Sequence, residues 1–341
     1  MRRTSILVAF ALSLPGLGGG VSARSTPNAP VLQAAPPAPA SQATADGATI
    51  GVWKPPPGLT QVPLWPAGAP DMEDVKRAAE YSRTGTNPKR FAGLPVTGVY
   101  NVMAPTMTVF PAKAPGKRAA MLVFPGGGFQ QLAIDLEGSE ACHWLTARRI
   151  VCVLIKYRVP GTNHHYDEAC DCAVTPKRLL ALQDAQRAVR LVRAQAASLH
   201  VDPDRIGVLG FSAGGYLVAQ TSNILAPAYT PADAVDRISS RPDFAVALYP
   251  GHLCRTGRIL DPTIQVTKKT PPTFLLQAWD DPTDEICNSV VYARALEAAG
   301  VPAEIHLFAK GGHAFGLRPS GHSVDIWPSL LENWLKETGI L

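Results

Sequence analysis

Seven continuous apolar runs, residues 106–110, 120–124, 151–155, 206–209, 244–248, 273–278 and 305–308, alternate along this chain with stretches patterned for helices. A strand that is apolar at every position must be covered on both faces. The alternation therefore predicts a mostly parallel central sheet with helices on both sides, an α/β fold. The intervening stretches 160–176, 224–242 and 251–270 are each about twenty residues, too short for a large cap domain. Among the helices, residues 179–199 are the clearest. Leu182, Val189, Leu191 and Val192 fall near one face, and Arg187, Arg190 and Arg193 are expected on a solvated one. Residues 325–336 should form the last helix, with Trp327 and Trp334 in the core.

Four segments carry chemistry. Ile206-Gly207-Val208-Leu209 runs into Gly210-Phe211-Ser212-Ala213-Gly214 and then into a helix-compatible stretch, which places a serine at the apex of a sharp strand-to-helix turn. Serine at its ordinary pKa is a poor nucleophile and needs an imidazole to take its proton and a carboxylate to orient that imidazole. The histidine is supplied by Gly311-Gly312-His313-Ala314-Phe315. The carboxylate comes from the end of the run at 273–278, where Asp280, Asp281 and Asp284 are all candidates. Upstream, Pro125-Gly126-Gly127-Gly128-Phe129 leaves a buried run at the position where backbone N–H groups can approach a developing oxyanion without intervening side chains. No Gly-Lys-Ser/Thr follows those glycines, which disfavours a phosphate-cradling loop.

These segments, in the order serine, acid, histidine, resemble an α/β-hydrolase of the esterase/lipase type. More narrowly, the chain is similar to bacterial secreted acetyl esterases of the acetylxylan-esterase-like group. The likeness is carried also by Pro63-Leu64-Trp65-Pro66, Lys156-Tyr157-Arg158-Val159-Pro160, Leu182-Gln183-Asp184-Ala185-Gln186-Arg187-Ala188 and Arg241-Pro242-Asp243-Phe244. The resemblance implies Ser212 as nucleophile, His313 as general base and acid, and the N–H groups of Gly127, Gly128 and Ala213 as oxyanion donors. Its spacing to the pair Asn288-Ser289 selects Asp281 as the acid, with Asp280 the alternative. The chain departs from the pattern at Pro282-Thr283-Asp284-Glu285, which is more acidic than the apolar continuation the resemblance implies. The implied activity is hydrolysis of short acyl esters, with acylated carbohydrate or another small ester as substrate and no metal or organic cofactor. The alternatives are a lipase or polyester hydrolase, a serine peptidase of the prolyl-peptidase kind, and a catalytically silent binding module.

Residues 1–23 read as a secretory signal: Arg2-Arg3, an apolar stretch from Ile6 to Leu14, and the small-residue site Val21-Ser22-Ala23. The expectation is a secreted or periplasmic protein that is free of the membrane once the leader is removed. Residues 24–60 are rich in proline and alanine and read as a disordered or extended linker, leaving 61–341 as the catalytic domain. A formal net charge of +5 is too weak and dispersed to imply nucleic acid. Of the six cysteines, Cys142 and Cys152 are expected as buried small hydrophobes, and one or two disulfides are expected among Cys170, Cys172, Cys254 and Cys287. The cluster of His164, His165, Asp167, Glu168, Cys170 and Cys172 lacks paired Cys-x-x-Cys spacing, which disfavours a zinc site.

Overall fold

The computed structural model describes residues 42–44, 47–73, 75, 78–87, 91–113, 115–160, 166–167, 172–173 and 178–341. Eight strands build the central sheet: β1 (Gln61–Pro63), β2 (Thr106–Phe110), β3 (Arg118–Phe124), β4 (Val151–Lys156), β5 (Val201–Phe211), β6 (Phe244–Leu248), β7 (Thr273–Ala278) and β8 (Ala303–Phe308). Their order is β8-β7-β6-β5-β3-β4-β2-β1. The six strands from β3 to β8 run parallel, and the antiparallel pairings are at the β1/β2 edge. Strands β4, β6 and β7 are buried along their whole length, as continuous Val, Ile, Leu, Ala and Phe runs require.

Among the described residues five α-helices accompany the sheet: α1 (Glu140–Ala147), α2 (Arg178–Ala194), α3 (Ala213–Asn223), α4 (Cys287–Ala298) and α5 (Trp327–Glu337). Trp327 and Trp334 are buried, and the Trp327 indole N–H donates to the Gly316 carbonyl, tying α5 beneath the loop that carries His313. Helix α2 departs from expectation. Arg187 and Arg190 are buried rather than solvated. The segment 224–242 lies over that face of the helix and supplies acceptors: Asp233 and Asp236 for Arg187, and the Tyr229 hydroxyl and Ile238 carbonyl for Arg190. A helix face can thus be rich in arginine and still be interior, provided a covering loop neutralises it.

A buried polar network joins three of the motif segments. Arg158, with no exposed surface, donates its backbone N–H and its Nε to Asp184 and its Nη2 to Gln183 and to the Leu180 carbonyl. The Trp65 indole N–H completes the Asp184 shell at 2.7 Å.

A second sheet is entirely antiparallel, in the order 42–43, 49–51, 81–86, 95–100, 131–133. Ser82, Val99 and Leu132 form its buried face. Residues 49–51, which composition places in a linker, are a strand of this sheet paired with Ser82–Thr84, so ordered chain begins before residue 60.

Of the cysteines, one pair departs from expectation and another meets it. Cys142 of α1 and Cys152 of β4 form a disulfide, because the helix crosses that strand with the two Cα atoms 5.1 Å apart, within bridging distance. Cys254 and Cys287 form a second, tying the loop after β6 to the start of α4. Cys170 and the side chain of Cys172 lie outside the described part, as does the cluster around His164 and His165. Among the described residues no helix is long and apolar enough to cross a membrane.

Candidate active site

Ser212 lies between β5 and α3 with φ 53° and ψ −119°, a conformation that costs an L-residue about 1–3 kcal/mol. Its surroundings hold it there. The Ser212 N–H donates to the Leu248 carbonyl, and the Ser212 carbonyl accepts from Tyr216 and Gly251 N–H. Glycine is required on both sides of the turn. A Cβ at Gly214 would come within 2.9 Å of the Pro125 carbonyl oxygen, and one at Gly210 within 2.9 Å of the Gly215 nitrogen. The strained turn lifts the hydroxyl above the carboxyl ends of the parallel strands.

The imidazole of His313 meets it there. His313 Nε2 is 2.9 Å from Ser212 Oγ, and Nδ1 is 2.7 Å from Asp281 Oδ2. Asp281 is fixed in turn by the backbone N–H groups of Thr283 and Asp284, which donate to its other oxygen at 2.8 and 2.9 Å. Asp280 points elsewhere: its Oδ1 accepts from the N–H groups of Gly311 and Gly312 at 2.9 and 2.8 Å and braces the loop that carries the histidine. Burial disfavours the imidazolium, but the Asp281 hydrogen bond and the negative charges of Asp281, Asp284 and Glu137 outweigh it and hold the His313 pKa above its ordinary value. The arrangement can therefore deprotonate a hydroxyl and deliver the proton to a departing oxygen.

The glycine loop after β3 lies beside the serine. A Cβ at Gly126 would come within 2.8 Å of Ser212 Cβ. Gly127 and Gly128 both take positive φ, 128° and 64°. The loop is closed by bonds from Gln130 and Gln131 N–H to the Gly127 carbonyl. Ala213 is the first residue of α3, so its N–H has no acceptor within the helix. The helix dipole adds a partial positive charge at that end.

Two further carboxyl groups lie at the site: Glu137, which the sequence did not single out, and Asp284, which it offered only as a candidate for the acid. Glu137, almost wholly buried, accepts from Gly126 N–H at 2.8 Å and from the Tyr249 hydroxyl at 2.9 Å. Burial raises its pKa. It anchors the start of the glycine loop from behind, and nothing in the local sequence marks it. Asp284 faces the nucleophile, with Oδ2 3.4 Å from Ser212 Oγ. Its signal was the acidic departure at 284–285. Burial also raises the Asp284 pKa, against the lowering effect of His313.

Around the site, Phe129 and Tyr216 are buried and pack in edge contact, and Tyr216 donates its hydroxyl to Asp261. Phe315 is buried against Tyr249. Trp279 is 65% exposed and Gln130 is exposed. A cavity of about 390 Å³ opens beside the histidine, lined by Phe91, Gly311, His313, Phe315, Arg318 and His322 among others. Arg318 holds one wall by pairing with Glu140 and donating to the Phe91 and Leu94 carbonyls. Among the described residues no group of three His, Cys, Asp or Glu side chains is placed to hold a metal ion.

A family model described as alpha/beta hydrolase fold matches residues 121–261, which span the glycine loop and the serine turn. The crystal structure of an acetyl ester-xyloside bifunctional hydrolase from Caldicellulosiruptor lactoaceticus is 30% identical, superposes with a TM-score of 0.63, and covers 83% of this chain and 97% of that one. The chain belongs to the α/β-hydrolase family. Among curated relatives, this α/β hydrolase is 28% identical over 254 residues to an acetylxylan esterase of Xylanibacter ruminicola, and 27% identical over 218 residues to an endo-1,4-beta-xylanase B of Butyrivibrio fibrisolvens. The matches cover 67% and 58% of this chain but 48% and 32% of those proteins, so the hydrolase spans at most about half of each curated relative.

Proposed function

We propose that this α/β hydrolase is an exported serine carboxylesterase that removes short acyl groups, acetyl foremost, from plant cell-wall polysaccharide such as acetylated xylan. The observation that carries the reading is the continuous chain from Ser212 Oγ through His313 to Asp281, set beside a glycine loop and a helix N-terminus. Ser212 Oγ attacks the ester carbonyl carbon as its proton passes to His313 Nε2. The oxyanion is held by N–H groups of Gly127, Gly128 and Ala213. Collapse breaks the bond to the alcohol oxygen, which takes the proton from Nε2. Water, with the same nitrogen as base, then hydrolyses the acyl-enzyme.

Relatives named for acetylxylan and acetyl-ester-xyloside hydrolysis support the acetyl and carbohydrate parts of the reading. So does the polar cavity beside His313, which offers no long apolar channel for a fatty chain. The leader pattern and the disulfides Cys142–Cys152 and Cys254–Cys287 support export to an oxidising compartment. Acetate release from acetylated xylan, acetylated pectin and small acetylated sugars, measured beside an acyl-chain series of model esters, tests the reading. The expected result is release from xylan and a decline beyond butyrate. A preference for longer chains would replace deacetylation with lipase or polyester hydrolysis.

A further inference from the structure

The Asp284 carboxylate has no place in the relay just described. Its Oδ2 is 3.4 Å from Ser212 Oγ and 3.8 Å from His313 Nε2, beside the line along which the proton travels. The side chain is only 15% exposed, and among the described residues no lysine or arginine pairs with it. Its position is built. Asp284 N–H is held by Asp281, and Gln277 Nε2 donates to the Asp284 carbonyl at 2.6 Å. Glycine at 251 leaves room for the carboxyl group, whose Cγ would be 2.9 Å from a Cβ there.

A largely buried carboxylate needs donors. The nearest hydroxyl is that of Ser212, at the long end of hydrogen-bond range and shared with His313 Nε2, and it is lost as a donor when the serine is acylated. The departing alcohol oxygen must come within hydrogen-bond reach of Nε2 to be protonated. An acceptor 3.8 Å from the same nitrogen is therefore placed to meet a group on the carbon next to the one bearing the ester. A simple alkyl ester offers nothing to it, and an alcohol carrying an acidic group is repelled.

We propose that Asp284 is a specificity residue that accepts a hydrogen bond from a free hydroxyl adjacent to the scissile ester, so that the enzyme selects mono-acylated vicinal diols, the arrangement found on sugar rings. This rests on the esterase reading above and narrows its substrate class.

The test compares kcat/KM for acetate release from 2-hydroxyethyl acetate and from 2-methoxyethyl acetate, whose capped oxygen cannot donate, in the wild type, Asp284→Asn and Asp284→Ala. The wild type should prefer the hydroxyl ester by about tenfold or more, the order of one charge-assisted hydrogen bond. The ratio should fall toward one in Asp284→Ala. It should be intermediate in the isosteric Asp284→Asn, which keeps an oxygen acceptor without the charge. A wild-type ratio near one, or an unchanged ratio in Asp284→Ala, overturns the proposal while leaving the esterase reading intact. Should the alanine variant not fold, the wild-type and asparagine ratios decide. No acetate from either ester would remove the esterase reading and this inference with it.

Discussion

Asp280 and Asp281 are neighbours just beyond β7, and their side chains diverge as consecutive residues leaving a strand do. One reaches the imidazole, the other the amides of Gly311 and Gly312. Asp281→Asn should lower kcat by as much as about 10⁴-fold, by favouring the wrong tautomer of His313 and leaving the imidazolium uncompensated. Asp280→Asn keeps an oxygen acceptor for the loop and should cost far less. Equal losses in the two variants would refute the assignment. The base must be neutral to accept the serine proton, and the His313 pKa is held above its ordinary value. Activity should therefore fall on the acid side through a pKa higher than that of a free imidazole. Removing one of the raising charges with Asp284→Asn should move that limb to lower pH in a kcat/KM profile. The serine, the histidine and the glycine loop were legible because their residue types are chemically constrained. Glu137 was not, since a buried carboxylate that anchors a loop from behind has no local pattern.

At the scale of elements, strands β2, β6 and β7 have the boundaries of their apolar runs, because extensive burial favours apolar side chains: β6 and β7 are buried throughout and β2 at three of its five residues. Helix α2 shows where that logic stops. Periodicity identifies the face against the sheet and says nothing about a loop that later covers the other face. The same helix supplies Asp184 to the Arg158 network, in which both charged side chains have no exposed surface. Removing one partner strands the other without compensation. Asp184→Ala should therefore destabilise the protein by about 3–5 kcal/mol, read as a shift of the urea midpoint. A change below about 1 kcal/mol would mean that solvent reaches Arg158 in the folded state. The disulfides follow a similar division. Cys254 follows β6 and Cys287 opens α4 after β7, in segments leaving strand ends where bridging was anticipated, whereas Cys142 and Cys152 sit in a helix and a strand whose contact only the tertiary fold reveals.

Over the whole molecule, the second sheet is the part the sequence concealed. Its strands are short, contain Gly85, Gly98, Thr84 and Thr97, and bury only one residue in 81–86 and two in 95–100, so they match neither the continuous runs nor a helical period. Pairing between segments as distant as 49–51 and 81–86 has no local signature. Global electrostatics give a pH prediction. Hydrogen bonding to Arg187 lowers the Asp233 pKa to about 2, and that of Asp236 is also lowered, as its hydrogen bonds from Tyr229 and Arg187 overcome burial. Groups depressed on folding stabilise above the unfolded aspartate value of about 3.9, and the stability is lost as pH falls from there toward 2. Thermal melts should show Tm falling over that window, less steeply in high salt because Asp233 is half exposed. A Tm that is flat from pH 5 to pH 2 would contradict the ion-pair account.

Reaction of the intact protein with a fluorophosphonate, followed by peptide mapping, tests the convergence of serine, imidazole and carboxylate most directly. The account predicts a single adduct on Ser212, its absence in Ser212→Ala, and slower labelling in His313→Ala. An adduct on another residue, or ester hydrolysis at near wild-type rate by Ser212→Ala, would contradict it.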